Sequence, residues 1–563
     1  MSTILTVYLN TKNLYVAIMA KTFNVFTQDC KPTIKLNFFK LCLLAISCIF
    51  ILITQGCSTL PKTGPEVILH SRSIDTSQTT LAQIISPLRD ENPGLTGYFI
   101  LDDPLDAISA RLRLIDHAQK TLDLQYYIWN NDKIGALALH AIIQAADRGV
   151  KVRLLIDDNN AKPMEDVLLA LSKHPNIHVK LFNPYKFRKF RGIDMVLDLK
   201  RINRRMHNKT FIADNQIALI GGRNITNQYY NVSDNYQFSD VDVILVGTAV
   251  NDIVESFDDF WNDSYAYSIE NIVKTKPDQL TYNNLKQQLN AHYQLSNVQN
   301  YLNLAAYSHS FDNWLHHNIQ LDWVKAKIVK DSPSKIRDQS AQSQYVSSQL
   351  AESLDKPAEN VDLVSAYFVP EKEGASLLSN MAKDGIQVRV LTNSFKATDV
   401  SVVHAFYQNY RKNLLENGVQ VYEYLPAISP EDLKKSRYFN DLVKKAKVKL
   451  KGLSRSSLHA KLMAIDQRQV FIGSYNYDPR SARLNTEIGV ILDSPPLAKA
   501  VHSTMDKQLN HFAYKLVLDA NNNINWHKQT DKGIEIYTKE PGMKWWQRMG
   551  LKMLSWLPIE GYM

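Results

Sequence analysis

The sequence predicts an α/β protein made of two homologous α/β/α halves in one chain, with one active site shared between them. Three observations predict this. Strand-like and helix-like patterns alternate, as in a sheet covered by helices. The segment HNKTFIADNQIALIGGRN at 207–224 returns as HAKLMAIDQRQVFIGSYN at 459–476. The chain before each copy also repeats, RGVKVRLLID at 148–157 against DGIQVRVLTN at 384–393. A spacing of 252 residues between copies is that of a duplicated domain and far longer than a solenoid period.

In chain order, the first half begins with an apolar and aromatic strand at Thr121–Ile128, a helix at Lys133–Arg148 and a buried strand at Val150–Asp157. After the first motif come a strand at Val241–Val246 and a helix at Val250–Asn262. The second half repeats the order: Val361–Phe368, Glu373–Lys383 and Ile386–Thr392, then Ile488–Leu492 and Pro496–Leu509 after its motif. The expected division is 1–57 as leader, 90–265 and 357–520 as the halves, 266–356 as a polar helical connector, and 521–563 as a tail.

The leader explains where the cysteines fall. All four lie at or before Cys57, so the body holds no disulfide, cysteine-bound metal or catalytic thiol. Three lysines precede the apolar run Leu41–Ile53, which ends in Thr-Gln-Gly-Cys-Ser at 54–58. A basic flank, a short apolar core and small residues form an export signal. Thirteen apolar residues are short for a span, which takes about 20. The pattern resembles a bacterial lipoprotein signal, which would make Cys57 the site of lipid attachment; an uncleaved anchor helix is the alternative.

The 563 residues carry a formal charge of +9, which favours anionic partners such as nucleic acid, acidic lipid or phosphate esters. The repeated motif narrows the chemistry. His207 and Lys209 are expected on one strand face, as are His459 and Lys461, each pair setting an imidazole beside a positive charge. A phosphodiester needs both, because charge builds on its oxygens during attack. Asn224 and Asn476, behind Gly221-Gly222 and Gly473-Ser474, can donate to phosphate oxygens. With two histidines, one can attack phosphorus while the other protonates the leaving oxygen and then activates the acceptor. Two lysines and two asparagines neutralise the phosphate, so neither a metal nor another cofactor is expected. Asp240 and Glu487 each open an apolar strand and are the candidates to orient His207 and His459 respectively, with Asp242 the fallback for the first.

The repeated H-x-K-x4-D pattern, followed by G-G/S-x-N, resembles the phospholipase D superfamily over about 97–510. Within it, GGRNITNQYY at 221–230, DVDVILVG at 240–247 and LPIEGYM at 557–563 are similar to bacterial lipoprotein-like cardiolipin synthases. The resemblance implies that His207 is the nucleophile. It implies that Asp214 and Asp466, though part of the catalytic motif, are structural. It also implies phosphatidyl transfer between two phospholipids, and the lipoprotein-type leader sets the expected place, the cell envelope on the periplasmic side. A phospholipase D releasing phosphatidic acid, a nuclease and a catalytically silent membrane-binding protein are the alternatives.

Two basic clusters, Lys186–Arg205 and Lys434–Lys451, lead into the motifs and are expected to face anionic phospholipid, not an obligate nucleic acid partner; Tyr185, Phe187 and Phe190 interleave the first, which suits contact at lipid headgroup level. The tail Lys544–Leu557 mixes tryptophans with basic residues. It is read as a helix that lies at a membrane surface, packs on the body, or does both.

Overall fold

Why the chain folds twice in the same way is visible strand by strand. In the computed structural model, which describes residues 60–61, 70–232, 237–276, 279–306, 321–426 and 456–562, each half builds six corresponding strands. In the first half these are β1 (Thr121–Tyr126), β2 (Lys151–Asp157), β3 (Ile177–Phe182), β4 (Thr210–Ala213), β5 (Ile217–Gly221) and β6 (Asp242–Gly247). In the second they are β7 (Asn360–Ser365), β8 (Gln387–Asn393), β9 (Gln420–Tyr424), β10 (Lys461–Ile465), β11 (Gln469–Gly473) and β12 (Ile488–Asp493). The sheet orders match: β6-β5-β4-β1-β2-β3 and β12-β11-β10-β7-β8-β9.

β1, β2 and β3 run parallel, as do β7, β8 and β9, while the other neighbours are antiparallel. A parallel pair needs a crossover, and α1 (Lys133–Asp147) supplies the first. Its N-terminus is capped by the Asp132 carboxylate, which accepts from the Gly135 N–H at 3.0 Å. Both faces of these sheets are covered, so β2 and β8 read as nearly continuous buried runs.

The aspartates of the two motifs hold this frame. Asp214 occupies the left-handed turn after β4 and accepts the backbone N–H groups of Gln119, Lys120 and Thr121 at 2.7–2.9 Å. Asp466 does the same after β10 for Ala358, Glu359 and Asn360 at 2.8–2.9 Å. Each pins its hairpin to the start of the neighbouring strand. Both are structural in geometry.

The halves share one core. Ile212, Ile220, Val243 and Leu245 of the first sheet pack in a single buried cluster with Val470, Ile472, Val490 and Leu492 of the second. Pro61–Met563 accordingly forms one compact unit. The connector, expected to be helical with loops, contains helices and also short strands. Two helices, Tyr282–Tyr293 and Ser296–Ala306, do pack on the first half. Beyond them, Asp322–Val324 extends the first sheet and Ala326–Lys330 extends the second. Cys57, the apolar run before it and the cluster Lys434–Lys451 lie outside the described residues.

Ile472→Ala, which empties a fully buried position at the shared core, is expected to cost about 2–5 kcal/mol. Urea unfolding should still show one transition for both halves. Two separated transitions would show that they fold independently.

Candidate active site

The two histidine-bearing segments cross between the halves. Residues 205–208 run beside 486: the His207 N–H donates to the Thr486 carbonyl at 3.0 Å, and the Thr486 N–H to that of Arg205 at 2.9 Å. The Thr486 hydroxyl donates to Asn208 Oδ1 at 2.7 Å. In the mirror arrangement, Ser456–Leu458 pairs in parallel with Gln237–Ser239, and the His459 N–H donates to the Ser239 carbonyl at 2.7 Å. Each histidine is thus carried to the residue just before the other half's carboxylate.

The orienting pairs are therefore exchanged relative to the sequence expectation. His207 Nδ1 lies 2.9 Å from Glu487 Oε2, and His459 Nδ1 lies 2.6 Å from Asp240 Oδ2. Asp242, the fallback, is taken by Arg111 at 2.8 Å. Glu487 is further held by the hydroxyls of Ser474 and Ser481. Ser474 corresponds to Gly222 in the first copy, and the difference has a steric cause. A Cβ at residue 222 would lie 2.2 Å from the Asp240 carboxylate, so only glycine fits there.

His207 and Lys209 precede β4, and His459 precedes β10, so the histidines sit at strand entries and not within a regular pleat. The lysines are buried. Lys209 Nζ donates to the His207 carbonyl at 2.6 Å, and Lys461 Nζ donates to the His459 carbonyl and lies 2.8 Å from His459 Nδ1. Burial pushes His207 down to about 4, against the pull of Glu487. Burial, with Lys461 and Lys209 adding to it, holds His459 well below its ordinary value. Burial also lowers Lys209 to about 7 and Lys461 to about 8. Both imidazoles are therefore neutral near pH 7. With Nδ1–H given to a carboxylate, each keeps a bare Nε2.

Both histidines, Asn224 and Asn476 line one cavity of about 770 Å³. Asn476 Oδ1 is buried without a protein partner. Asn224 is engaged: its Oδ1 accepts from the Ile128 N–H, and its Nδ2 donates to the Tyr229 hydroxyl, both at 3.0 Å. The Tyr229 hydroxyl in turn lies 3.3 Å from His459 Nε2. Tyr127 meets the His207 ring edge-on, with centroids 5.1 Å apart. The two reactive nitrogens thus differ: Tyr229 covers that of His459, while an aromatic edge borders the His207 ring. Sequence reasoning missed Tyr229, Tyr127 and Ser474; only Ser474 had a signal, as the one change from G-G to G-S between the copies. Among the described residues, no three His, Cys, Asp or Glu side chains gather in a way that suits a metal ion.

Most of the basic cluster Lys186–Arg205 is engaged within the fold, and Lys189 and Lys200 stay exposed. Arg188 and Arg191 pair with Asp158 and Glu165, Lys186 and Arg201 with Asp198, Lys200 and Arg204 with Asp338, and Arg205 with Asp157. Much of its charge holds loops together.

A family model described as cardiolipin synthase, phospholipase D-like domain, matches twice, at residues 112–261 and 350–509. Cardiolipin synthase C of Escherichia coli is 36% identical over 85% of this chain and 99% of its own length. This chain belongs to the phospholipase D-like cardiolipin synthase family. Its members include relatives as distant as the major cardiolipin synthase ClsA of Bacillus subtilis, 23% identical over 73% of this chain and 68% of that one. A phosphatidylserine synthase of Haemophilus influenzae is similar in structure at 13% identity, covering 83% of this chain and 96% of that one, with a TM-score of 0.48. As a member of the family, the chain is an enzyme of the phospholipase D type, and the two family matches coincide with the two sheets described above.

Two outcomes test the geometry. In nitrogen NMR of histidine-labelled protein, Glu487→Gln should move the His207 ring signals and spare His459, and Asp240→Asn should do the converse. Shifts following the within-half pairing would contradict the exchange. KM for an anionic phosphodiester should rise as pH climbs through about 7 to 8, because Lys209 and Lys461 attract phosphate only below those values, while charged. A KM that stays flat from pH 6 to 9 would remove the lysines from phosphate binding.

Proposed function

We propose that this enzyme is a membrane-associated phosphatidyltransferase that makes cardiolipin from phospholipids through a phosphohistidine on His207. The observation that carries the mechanism is the pair of neutral, carboxylate-fixed imidazoles facing one cavity. His207 Nε2 attacks phosphorus, and the bond from phosphorus to the departing headgroup oxygen breaks. The bound phosphodiester's negative charge favours the imidazolium form of His459, which gives its Nε2 proton to that oxygen. In the second step His459 takes the proton of an acceptor hydroxyl. The acceptor oxygen then bonds to phosphorus, and the phosphorus–nitrogen bond to His207 breaks.

Water or a lipid hydroxyl can resolve this intermediate, so location decides between transfer and hydrolysis. Support for a membrane location comes from α3 (Trp545–Leu554). Leu551 and Leu554 pack on Ala405 and Met543, while Trp545, Trp546, Met549 and Met553 stay exposed, with Trp556 just beyond. Both expected readings of the tail are compatible with this placement. Lipid on Cys57, with the body facing the periplasm, would hold the enzyme where lipid acceptors are concentrated. Among the described residues, no helix is long and apolar enough to cross a membrane.

Full-length protein in phosphatidylglycerol vesicles should yield cardiolipin in excess of phosphatidic acid, and leave plasmid DNA intact. His207→Ala and His459→Ala should each lower turnover by roughly 10²–10⁴-fold, and the double variant should be little worse. Phosphatidic acid as the sole product would make the chain a hydrolytic phospholipase D.

A further inference from the structure

A second apolar surface lies on the first half, at the basic cluster interleaved with aromatics; of these Tyr185 is buried and Phe190 is exposed. Phe190, Met195, Val196, Leu197 and Leu199, on and around α2 (Gly192–Leu197), are all exposed, with Val196 at 81% and Phe190 at 71%. Single exposed apolar residues are ordinary, but five within ten residues form a patch that marks an interaction site.

The patch is fixed by polar groups and not by its own apolar side chains. The buried Asp194 carboxylate accepts the N–H groups of Lys186 and Phe187 at 3.1 and 2.8 Å. Arg191 donates to the carbonyls of Asp158 and Asn159 at 2.8 and 3.1 Å. The apolar side chains are thus held outward by a scaffold that does not depend on them.

Position and charge identify the partner. Asn160, next to the residues that Arg191 grips, lines the catalytic cavity. At the other end of the patch, Arg480 donates to the carbonyl and Oδ1 of Asn203 at 2.8 and 2.9 Å. Arg480 also lines the cavity, and donates to the Tyr562 carbonyl at 3.0 Å, in the segment that follows α3. Arg480 thus ties the chain just after the patch, and the segment that follows the tail helix, to the cavity lining. The segment 186–205 holds eight cations; their partners are six carboxylates, at Asp157, Asp158, Glu165, Asp194, Asp198 and Asp338. An exposed apolar tip with surplus positive charge suits an anionic bilayer.

We propose that Phe190, Met195, Val196, Leu197 and Leu199 insert into the anionic lipid bilayer beside the catalytic cavity. The enzyme then docks through one apolar surface from each half, and lipid headgroups reach the histidines without leaving the membrane. This rests on the membrane reading above and adds to it a second contact at a defined place.

Hydrogen exchange on the full chain tests it independently of turnover. With phosphatidylglycerol vesicles, exchange in 190–199 should slow about tenfold relative to phosphatidylcholine vesicles. Val196→Asp with Leu197→Asp should abolish that protection. The same double variant should lose about tenfold in turnover of vesicle phosphatidylglycerol, while keeping turnover of a short-chain, monomeric phosphatidylglycerol. Val196→Ile with Leu197→Met should behave as the parent. No protection in 190–199, or protection that grows with protein concentration without vesicles, would overturn the proposal, the latter pointing to a second copy of the chain. A parent protein that turns over neither substrate would instead count against the phosphatidyltransferase reading, with the exchange result still deciding the bilayer contact.

Discussion

Two imidazoles line one cavity and two lysine side chains are buried beside them, and a charge in such a place is costly unless it is paired. The exchanged carboxylates answer that constraint. Glu487 reaches His207 from the second half, and Asp240 reaches His459 from the first. Glu487 is itself anchored, since its N–H donates to Asp331 and two serine hydroxyls donate to its carboxylate. Fixing each imidazole by Nδ1 settles its tautomer and aims Nε2. It also makes each half incomplete without the other.

Several features of the fold follow from this dependence. The shared core of Ile220, Val243, Ile472 and Val490 presses the sheets together. The cross-half strand pair at 237–239 and 456–458 sets the register of His459 against Asp240. Gly222 leaves room for the Asp240 carboxylate, where Ser474 instead donates to Glu487. Near-symmetric halves thus give chemically unequal histidines, and Tyr229, over His459 but not His207, widens the inequality.

The repeat made much of this legible. Identical offsets of His, Lys, Asp, Gly and Asn implied two equivalent α/β halves, and local alternation placed β1, α1 and β2 within a residue or two. Both carboxylates were found because each starts an apolar strand near its own motif. Their exchange was not legible: His207 and Glu487 are 280 residues apart, and no local pattern states which of two equivalent halves a loop will cross to. The arginines at 188 and 191 looked available because Asp158 and Glu165 lie far back in sequence. Tyr229 gave no signal, since a tyrosine after a turn is ordinary. α2 is too short for helical periodicity to show, and its exposure comes from the Asp194 clamp.

The central claim is that histidines from two repeats act in sequence on one phosphorus, with His207 as the nucleophile. Rapid acid-free quenching of His459→Ala with a headgroup-activated, phosphate-labelled phosphatidyl donor, followed by peptide mapping, tests it most directly. The account predicts a phosphohistidine on His207, formed at stoichiometric level and slow to turn over, because the acceptor lacks its base. Label on His459 in the reciprocal His207→Ala protein, with none on His207 in the His459→Ala protein, would contradict it.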